Sequence, residues 1–402
     1  VGIAAGEVSQ GYSAIAMGYL AGNSLQSSFA TAVGNQAGQG SQGQQGTAVG
    51  YQAGFSLQSS FATALGNVAG QTNQGQEATA VGSGAGTTSQ GARAVAVGNI
   101  AGYTNQGVNT VAVGPSAGQT TQSAGAVAVG YQAGQTSQGV NATAVGLNAG
   151  LGSQSSSATA VGAGAGQASQ GNSSVAVGVS AGNDRQGASC TAVGQNAGLS
   201  LQGNGSVAIG TNAANNGQGV NAVAIGNTAG YANQGANAIA IGYLSGTSVQ
   251  GARSIIINAS NQYLETTGTD RFLVKPIRTE AAGTTLRWNS TSGEITNDGS
   301  SRDVKDSIED LATNTAKIYE LDPKTYVYKG SDQGMRHIGY IAEEVHEVDT
   351  AFAAYNDPEG PPVGINWNGI QVYMLEEMKK LRAEVDALKA QLAPAAPSAP
   401  SE

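Results

Sequence analysis

From Gly2 to Gly242 an apolar step ending in glycine recurs at every sixteenth residue: Thr, Val or Ile, then Ala, then Val, Ile, Leu or Met, then Gly, as in Thr143-Ala144-Val145-Gly146. The alternation of period two, with β-branched residues on one side, predicts a short strand in every copy. Three more columns keep the register. A second glycine stands four residues on (Gly6, Gly22, Gly38 and so forth) with Ala214 the single exception, and an alanine precedes it in nearly every copy. Eight residues after the first glycine comes an unbroken glutamine column, Gln10, Gln26, Gln42 and on to Gln250. A fixed period too short for a helical hairpin predicts a parallel β-solenoid whose coil is two short strands and two glycine turns.

A polar residue repeated at the coil period stacks on its own copies at the strand spacing, where each side-chain amide donates to one neighbour and accepts from the other. The glutamine column therefore reads as an internal ladder, and the glycine columns as corners that need positive φ or close backbone approach. Ala214 is expected to mark an altered turn. Stacking at one strand spacing per coil gives a rod of about 70 Å. The Ala and Gly columns beside Val and Ile columns suggest that one face packs inside the coil while the small-residue face lies against another chain. An obligate oligomer, a homotrimer, follows. Thr31, Thr47, Thr63 and Thr79 share a column that Val95, Val111 and Val127 interrupt, which reads as interior and argues against an ice- or crystal-binding face. At Ser254-Ile255-Ile256-Ile257-Asn258 the alanine and glycine of the step are replaced, so this coil reads as a cap with no further stacking partner.

The steps Ser206-Val207-Ala208-Ile209-Gly210 and Ala238-Ile239-Ala240-Ile241-Gly242 resemble the head repeats of YadA-like trimeric adhesins. That resemblance covers residues 1–258 and implies a β-roll shared by three chains, in a shaft or head that attaches to a host-cell receptor or glycan.

Composition sharpens the division of the chain. Sixty-one glycines and five phenylalanines cannot build a thick core. Before residue 259 the charged residues are Glu7, Glu77, Arg93, Asp184, Arg185 and Arg253, which cancel, so the whole net charge of −9 lies in the remainder. Neither part carries the basic stripe that nucleic acid or an anionic membrane demands. Cys190 is the single cysteine and excludes an intrachain disulfide or a cysteine metal cage. No stretch has the apolar length of a membrane-spanning helix, and no signal peptide opens the chain. Val1 already lies inside a repeat, which suggests a processed or truncated piece of a longer protein.

Residues 259–299 read as a β-rich stem, with short apolar runs at Phe272-Leu273-Val274, Leu286-Arg287-Trp288 and Ile295-Thr296 and with Trp288 in its core. From residue 300 the texture turns to α+β. Ser301 could cap a helix in which Val304, Ile308 and Leu311 share a face. A strand pair follows around Thr325-Tyr326-Val327-Tyr328 and His337-Ile338-Gly339-Tyr340-Ile341. Met374, Met378, Leu381, Val385, Leu388 and Leu392 keep the four-three spacing of a coiled-coil seam. The domain so defined runs over residues 300–393, and the Pro/Ala/Ser tail, 394–402, reads as disordered.

Ser300-Ser301-Arg302-Asp303-Val304-Lys305, Leu321-Asp322-Pro323-Lys324-Thr325-Tyr326 and Gly339-Tyr340-Ile341-Ala342-Glu343-Glu344-Val345, with the closing helix, resemble the intramolecular chaperone domain of endosialidases and other phage or viral fibres. The resemblance implies a C-terminal domain that trimerises, templates the β-rich fibre and releases itself by cutting the chain. Ser300 would then attack the carbonyl before it, Lys305 would take its proton, and the cut would fall between Gly299 and Ser300. His337 is a candidate orienting residue. Serine is a poor nucleophile without a base, and lysine is a base only when neutral. Asp303 stands where the motif carries arginine, and an acid so near Lys305 favours the charged lysine. A chaperone domain without cleavage is therefore the alternative. Taken alone, a serine and a lysine five apart at a helix start read as a cap and a solvated face.

His337 and His346 show no metal-ligand spacing, no cofactor motif is present, and Glu343 and Glu344 have no partner feature that would make them a glycosidase pair. The expected function is a structural and adhesive fibre of a virion, extracellular once released, with at most a single cut in cis and no turnover chemistry. A bacterial trimeric surface adhesin is the alternative, and it would need a C-terminal membrane barrel where this chain has a coiled coil.

Overall fold

The computed structural model describes residues 1–277, 286–288, 293–297, 305–329, 334–355 and 359–392. The chain divides into two compact units, Val1–Arg278 and Thr279–Glu402.

The first unit is a parallel β-solenoid with one sixteen-residue coil per repeat. Each Thr/Val-Ala-Val step is a three-residue strand paired with its copies on either side, as Val127, Ala128 and Val129 pair with Thr143, Ala144 and Val145. The glutamine segments form the second sheet, where Thr104 pairs with Thr88 and Gln106 with Gln90. In the first coils that sheet shrinks to single bridges between Gln10, Gln26, Gln42 and Gln58. The expected fold class holds: a mainly β chain built on a parallel solenoid.

Facing inward are the alanines of both strands and turns, such as Ala128 and Ala133, together with the glutamines; the alanines are wholly buried. The β-branched residues face outward, with Ile209, Ile225, Ile241 and Val161 each a little over a third exposed. This reverses the sequence-based expectation that the small-residue face would meet another chain. The alanine methyls and the buried glutamine side chains between them fill the narrow interior, so the β-branched residues point away. The Thr31–Val95 column is likewise outward and half-buried, not interior.

Glycine is required where coils touch backbone to backbone. Gly130 has φ +131°, and a Cβ there would lie 2.5 Å from the Gly146 carbonyl oxygen. At the second corner Gly134 has φ +52°, and a Cβ would lie 2.9 Å from the Gln138 amide oxygen. Ala214 does not alter this turn as expected. It keeps φ +47° against +53° at Gly198 and +54° at Gly230, and it is fully buried. Stacking on two well-formed neighbours holds the alanine in a left-handed conformation that it would not choose alone.

The solenoid also continues past the expected cap. Leu264–Thr266 pairs with Ser245–Gln250, and Phe272–Lys275 pairs in register with Ile255–Asn258. Residue 255 meets 272, an offset of seventeen, so this last coil is one residue longer than the others. Buried Ile256 fills its interior, while Asn258 closes the turn by donating to the carbonyls of Tyr243 and Gln262, both at 2.8 Å, and accepting from Ser260. Arg253 joins Asp270 through two hydrogen bonds of 2.6 and 2.8 Å. The first half of the expected stem thus belongs to the solenoid.

In the second unit, Leu286–Trp288 and Ile295–Asn297 form an antiparallel pair; the Trp288 side chain lies outside what is described. Lys324–Tyr326 pairs with His337–Gly339, as the sequence suggests. Helix α1 spans Ala342–Val348, and helix α2 spans Trp367–Leu392. Val345, Phe352, Ala353, Ile370 and Tyr373 make the core. The expected helix after Ser301 is absent from residues 305–314, where Ile308 and Leu311 are both more than half exposed. With no surface among the described residues covering that face, local propensity alone does not hold a helix. The first helical turn among the described residues is the 3-10 segment Thr315–Glu320, capped by the Asn314 side chain.

Candidate functional site

The sequence-based dyad falls at the edge of what is described. Gly299, Ser300 and residues 301–304 lie outside the described residues, and Lys305 is solvent-exposed in an irregular segment. His337 sits on the strand His337–Gly339, where its ring stacks on Tyr326 (centroids 5.9 Å apart, planes at 22°) and meets Tyr328 edge-on at 5.1 Å. The two phenols approach at 3.4 Å, and that hydrogen bond raises the Tyr326 hydroxyl above its ordinary pKa. Gly339 packs closely beside them: a Cβ there would lie 3.1 Å from the Tyr326 hydroxyl, so that ring would have to shift to admit one.

Of the two carboxylates singled out in the sequence, Glu343 is exposed and Glu344 has a structural partner. Glu344 lies 3.7 Å from Lys324, which also bonds Asp322 at 2.6 Å. His346 bonds the Tyr355 hydroxyl at its Nδ1. Among the described residues no group of three potential metal ligands occurs, and no helix is long and apolar enough to cross a membrane.

Two carboxylates that sequence reasoning missed, half-buried Asp349 and buried Glu377, organise the unit. Asp349 caps the short helical turn Thr350–Phe352 by accepting from the Ala351 amide at 2.9 Å, and it also takes Lys317 Nζ at 3.1 Å and the Tyr373 hydroxyl at 3.3 Å. Burial pulls its pKa upward, but the Ala351 amide, Lys317 and Tyr373 outweigh it, and the net shift is downward. Glu377, on α2, accepts from Thr315 Oγ1 at 2.5 Å and from Lys380 Nζ at 2.7 Å. The hydrogen bond from Lys380, then that from Thr315, hold its carboxyl below the ordinary range. Asp349 had a visible signal, an acid directly before Thr350-Ala351 at a turn start. Glu377 had none, because a glutamate in a charged helix reads as solvated.

The remaining feature of α2 is its bare stripe. Met374, Met378, Leu381, Val385, Leu388 and Leu392 are between 43% and 81% exposed, although they form a continuous seam. Ile370, Tyr373 and Glu377 occupy the buried face instead.

Residues 300–354 match the family described as chaperone of endosialidase. The match spans the candidate dyad, the Lys324–Tyr326 and His337–Gly339 pair and α1, and ends before α2. No curated protein and no solved structure matches the chain. A sixteen-residue-per-coil solenoid followed by an endosialidase-type chaperone domain fits a tail-fibre-like protein.

Proposed function

We propose that this chain is a structural fibre subunit that works as a parallel homotrimer, with the C-terminal unit as its trimerising chaperone. The observation that carries this is the seam on α2. Six apolar residues at four-three spacing, left bare by their own chain, are what a bundle of identical helices buries. In a parallel, in-register bundle Glu384 falls at the flanking position that meets Lys389 of a neighbouring copy, whereas an antiparallel one sets like charges together. The outward Thr/Val and Val/Ile ribbon of the solenoid is the second surface that assembly would cover, with the polar glutamine sheet left toward solvent. A long apolar ribbon exposed on a soluble monomer would be an aggregation hazard.

Templating gives the domain order a physical purpose. A parallel solenoid closes few local contacts, and three copies must begin in register, so unaided folding is slow and prone to mispairing. A compact C-terminal trimeriser fixes the register first. Release would follow by an acyl shift: the Ser300 hydroxyl adds to the Gly299 carbonyl carbon, and its proton passes to Lys305 and on to the departing Ser300 amine. Water then hydrolyses the ester to free the Gly299 carboxylate. Lys305 is exposed in the single chain, so the dry surroundings this step requires come from neighbouring copies. Fibres of this kind would attach a virion to a host receptor or glycan.

Light scattering with intact mass on the full chain and on Ser300→Ala tests this. A trimer whose wild-type chain ends at Gly299 and whose variant stays whole supports the complete scheme. A trimer that stays whole in both leaves a chaperone without peptidase activity. A monomer in both refutes the fibre assignment.

A further inference from the structure

Two coils near the start of the solenoid repeat each other more closely than the period requires. Leu25-Gln26-Ser27-Ser28-Phe29 and Leu57-Gln58-Ser59-Ser60-Phe61 are identical, while the coil between them reads Ser41-Gln42-Gly43-Gln44-Gln45. Leu25, Leu57, Phe29 and Phe61 are each about half exposed, so the outer coils raise apolar walls on either side of a lower, polar middle coil. Those walls stand two strand spacings apart, about 10 Å. Between Leu25 and Leu57 lies an open notch of about 430 Å³, floored by Ser41 and Gly43 and edged by Ser27 and Ser59.

We propose that this notch binds an uncharged oligosaccharide. No Asp, Glu, Lys, Arg or His occurs between Glu7 and Glu77, so a charged ligand finds no counter-charge there. A peptide cannot add to the floor as a strand, because the amides of Gly40, Gln42, Gly43 and Gln45 already donate to carbonyls of the neighbouring coils at 2.7 to 3.1 Å. What the notch does offer is serine hydroxyls and the exposed amides of Gln44 and Gln45 between apolar walls. A sugar ring is the matching shape, with C–H faces for the walls, hydroxyl edges for the serines and glutamines, and no charge. The notch lies on the glutamine-sheet side, which the assembly proposed above leaves toward solvent, and the inference rests on that reading for the source of the sugar, the host-cell surface. Three copies would present three notches, so weak single contacts add through multivalency.

Saturation-transfer NMR on the full chain tests this, with cellohexaose, maltohexaose and chitohexaose as neutral probes, a hyaluronan hexasaccharide as the charged one, and light scattering on the same samples. At least one neutral probe receives saturation from the wild type, and the hyaluronan fragment receives none. Ser41→Leu gives the middle coil the residue that both neighbouring coils carry in that column; it fills the notch, and the signal falls at least tenfold while the melting curve holds. Leu25→Ser combined with Leu57→Ser removes the walls and loses the signal as well. Leu201→Ser, in the same column on a distant coil and also exposed, is the control and leaves the signal unchanged. A wild type that takes no neutral probe, a signal that survives Ser41→Leu or the double serine variant, or an equal loss in Leu201→Ser overturns the proposal. So does a stronger signal from the hyaluronan fragment, or growth of the particle beyond a trimer that Ser41→Leu abolishes, which would give the notch to another copy. A monomer that binds a neutral probe in the notch refutes the fibre assignment and upholds the site, whereas a trimer that binds none keeps the fibre and loses the site.

Discussion

Replacing Gln138 by leucine removes one rung from the middle of the ladder at nearly constant volume. Gln138 is 1% exposed. Its amide nitrogen donates to the Val127 carbonyl at 2.6 Å, to Gln154 Oε1 at 3.2 Å and to the Ala142 carbonyl at 3.3 Å, and its oxygen accepts from Gln122 at 3.0 Å. The bond to Val127 crosses the coil interior and ties one sheet to the other. Leucine leaves these buried partners short of a donor or acceptor. At about 1 kcal/mol for each hydrogen bond lost, with orphaned buried groups costing about 1–3 kcal/mol, the loss comes to about 3–5 kcal/mol after leucine's own burial is allowed for. Gln10→Leu is the control, since Gln10 is exposed and its amide makes two bonds of 3.2 Å, to Ala14 and Gln26. It should cost less than about 1 kcal/mol. Because each coil of a solenoid contacts only its neighbours, the damage should be local: amides of residues 122–154 should exchange faster than those of coils at a distance. Equal effects at the two positions, or a more stable Gln138→Leu chain, would refute the ladder as the internal tie.

Two further outcomes follow from the same geometry. Ala214→Gly should raise stability by up to about 1 kcal/mol in thermal or denaturant unfolding, because glycine adopts φ +47° without the penalty an L-residue bears. The second unit should loosen in acid: the folded pKa values of Asp349 and Glu377 are both lowered from their ordinary values of 3.8 and 4.5. Their contribution is therefore complete above those values and lost as pH falls below them through the lower folded values. A circular-dichroism titration of melting should show this loss in the wild type and a smaller one in Glu377→Gln.

The repeat declared most of its fold in the sequence because a sixteen-residue period with no insertion permits only stacked coils, and the register found is the one the columns predict. What the columns did not declare is which face is inside. Val145 is more apolar than Ala144, and a rule that buries the more apolar residue picks the wrong side, because the glutamine side chains reaching across the gap leave room for only a methyl group at the facing position. The glutamines show the converse: a polar side chain is buried at Gln138 because its own copies supply its partners, information present in the period and not in the residue. Even so, the ladder is not continuous. No amide-to-amide bond joins Gln42 to Gln58, Gln90 to Gln106 or Gln170 to Gln186, and the oxygens of Gln58, Gln106 and Gln186 are buried without a partner. In the second unit, the dyad was legible as a motif but its geometry falls on residues outside those described, and the Thr315–Glu377 clamp was invisible because it joins positions sixty-two apart in the chain.

The thin interior also explains why the two units belong in one chain. A coil that buries alanine gains little from its own inside, since a methyl group contributes far less than the burial of a whole leucine or valine side chain. Hydrogen-bond ladders hold the coil in register but do not supply the missing apolar burial. The β-branched ribbon turned outward is where that burial remains to be gained, and only another surface can cover it. A second unit that leaves Met378, Leu381 and Val385 bare on a helix has the same deficit at a place where it can be closed quickly by local, helical contacts. In the proposed trimer, closing the helical seam first would bring the ribbons together at high local concentration and make the slow nonlocal step effectively intramolecular. If Leu381→Asp and Leu388→Asp together left the solenoid as protected from exchange as in the wild type, the ribbon would not need the seam, and this coupling between the units would be wrong.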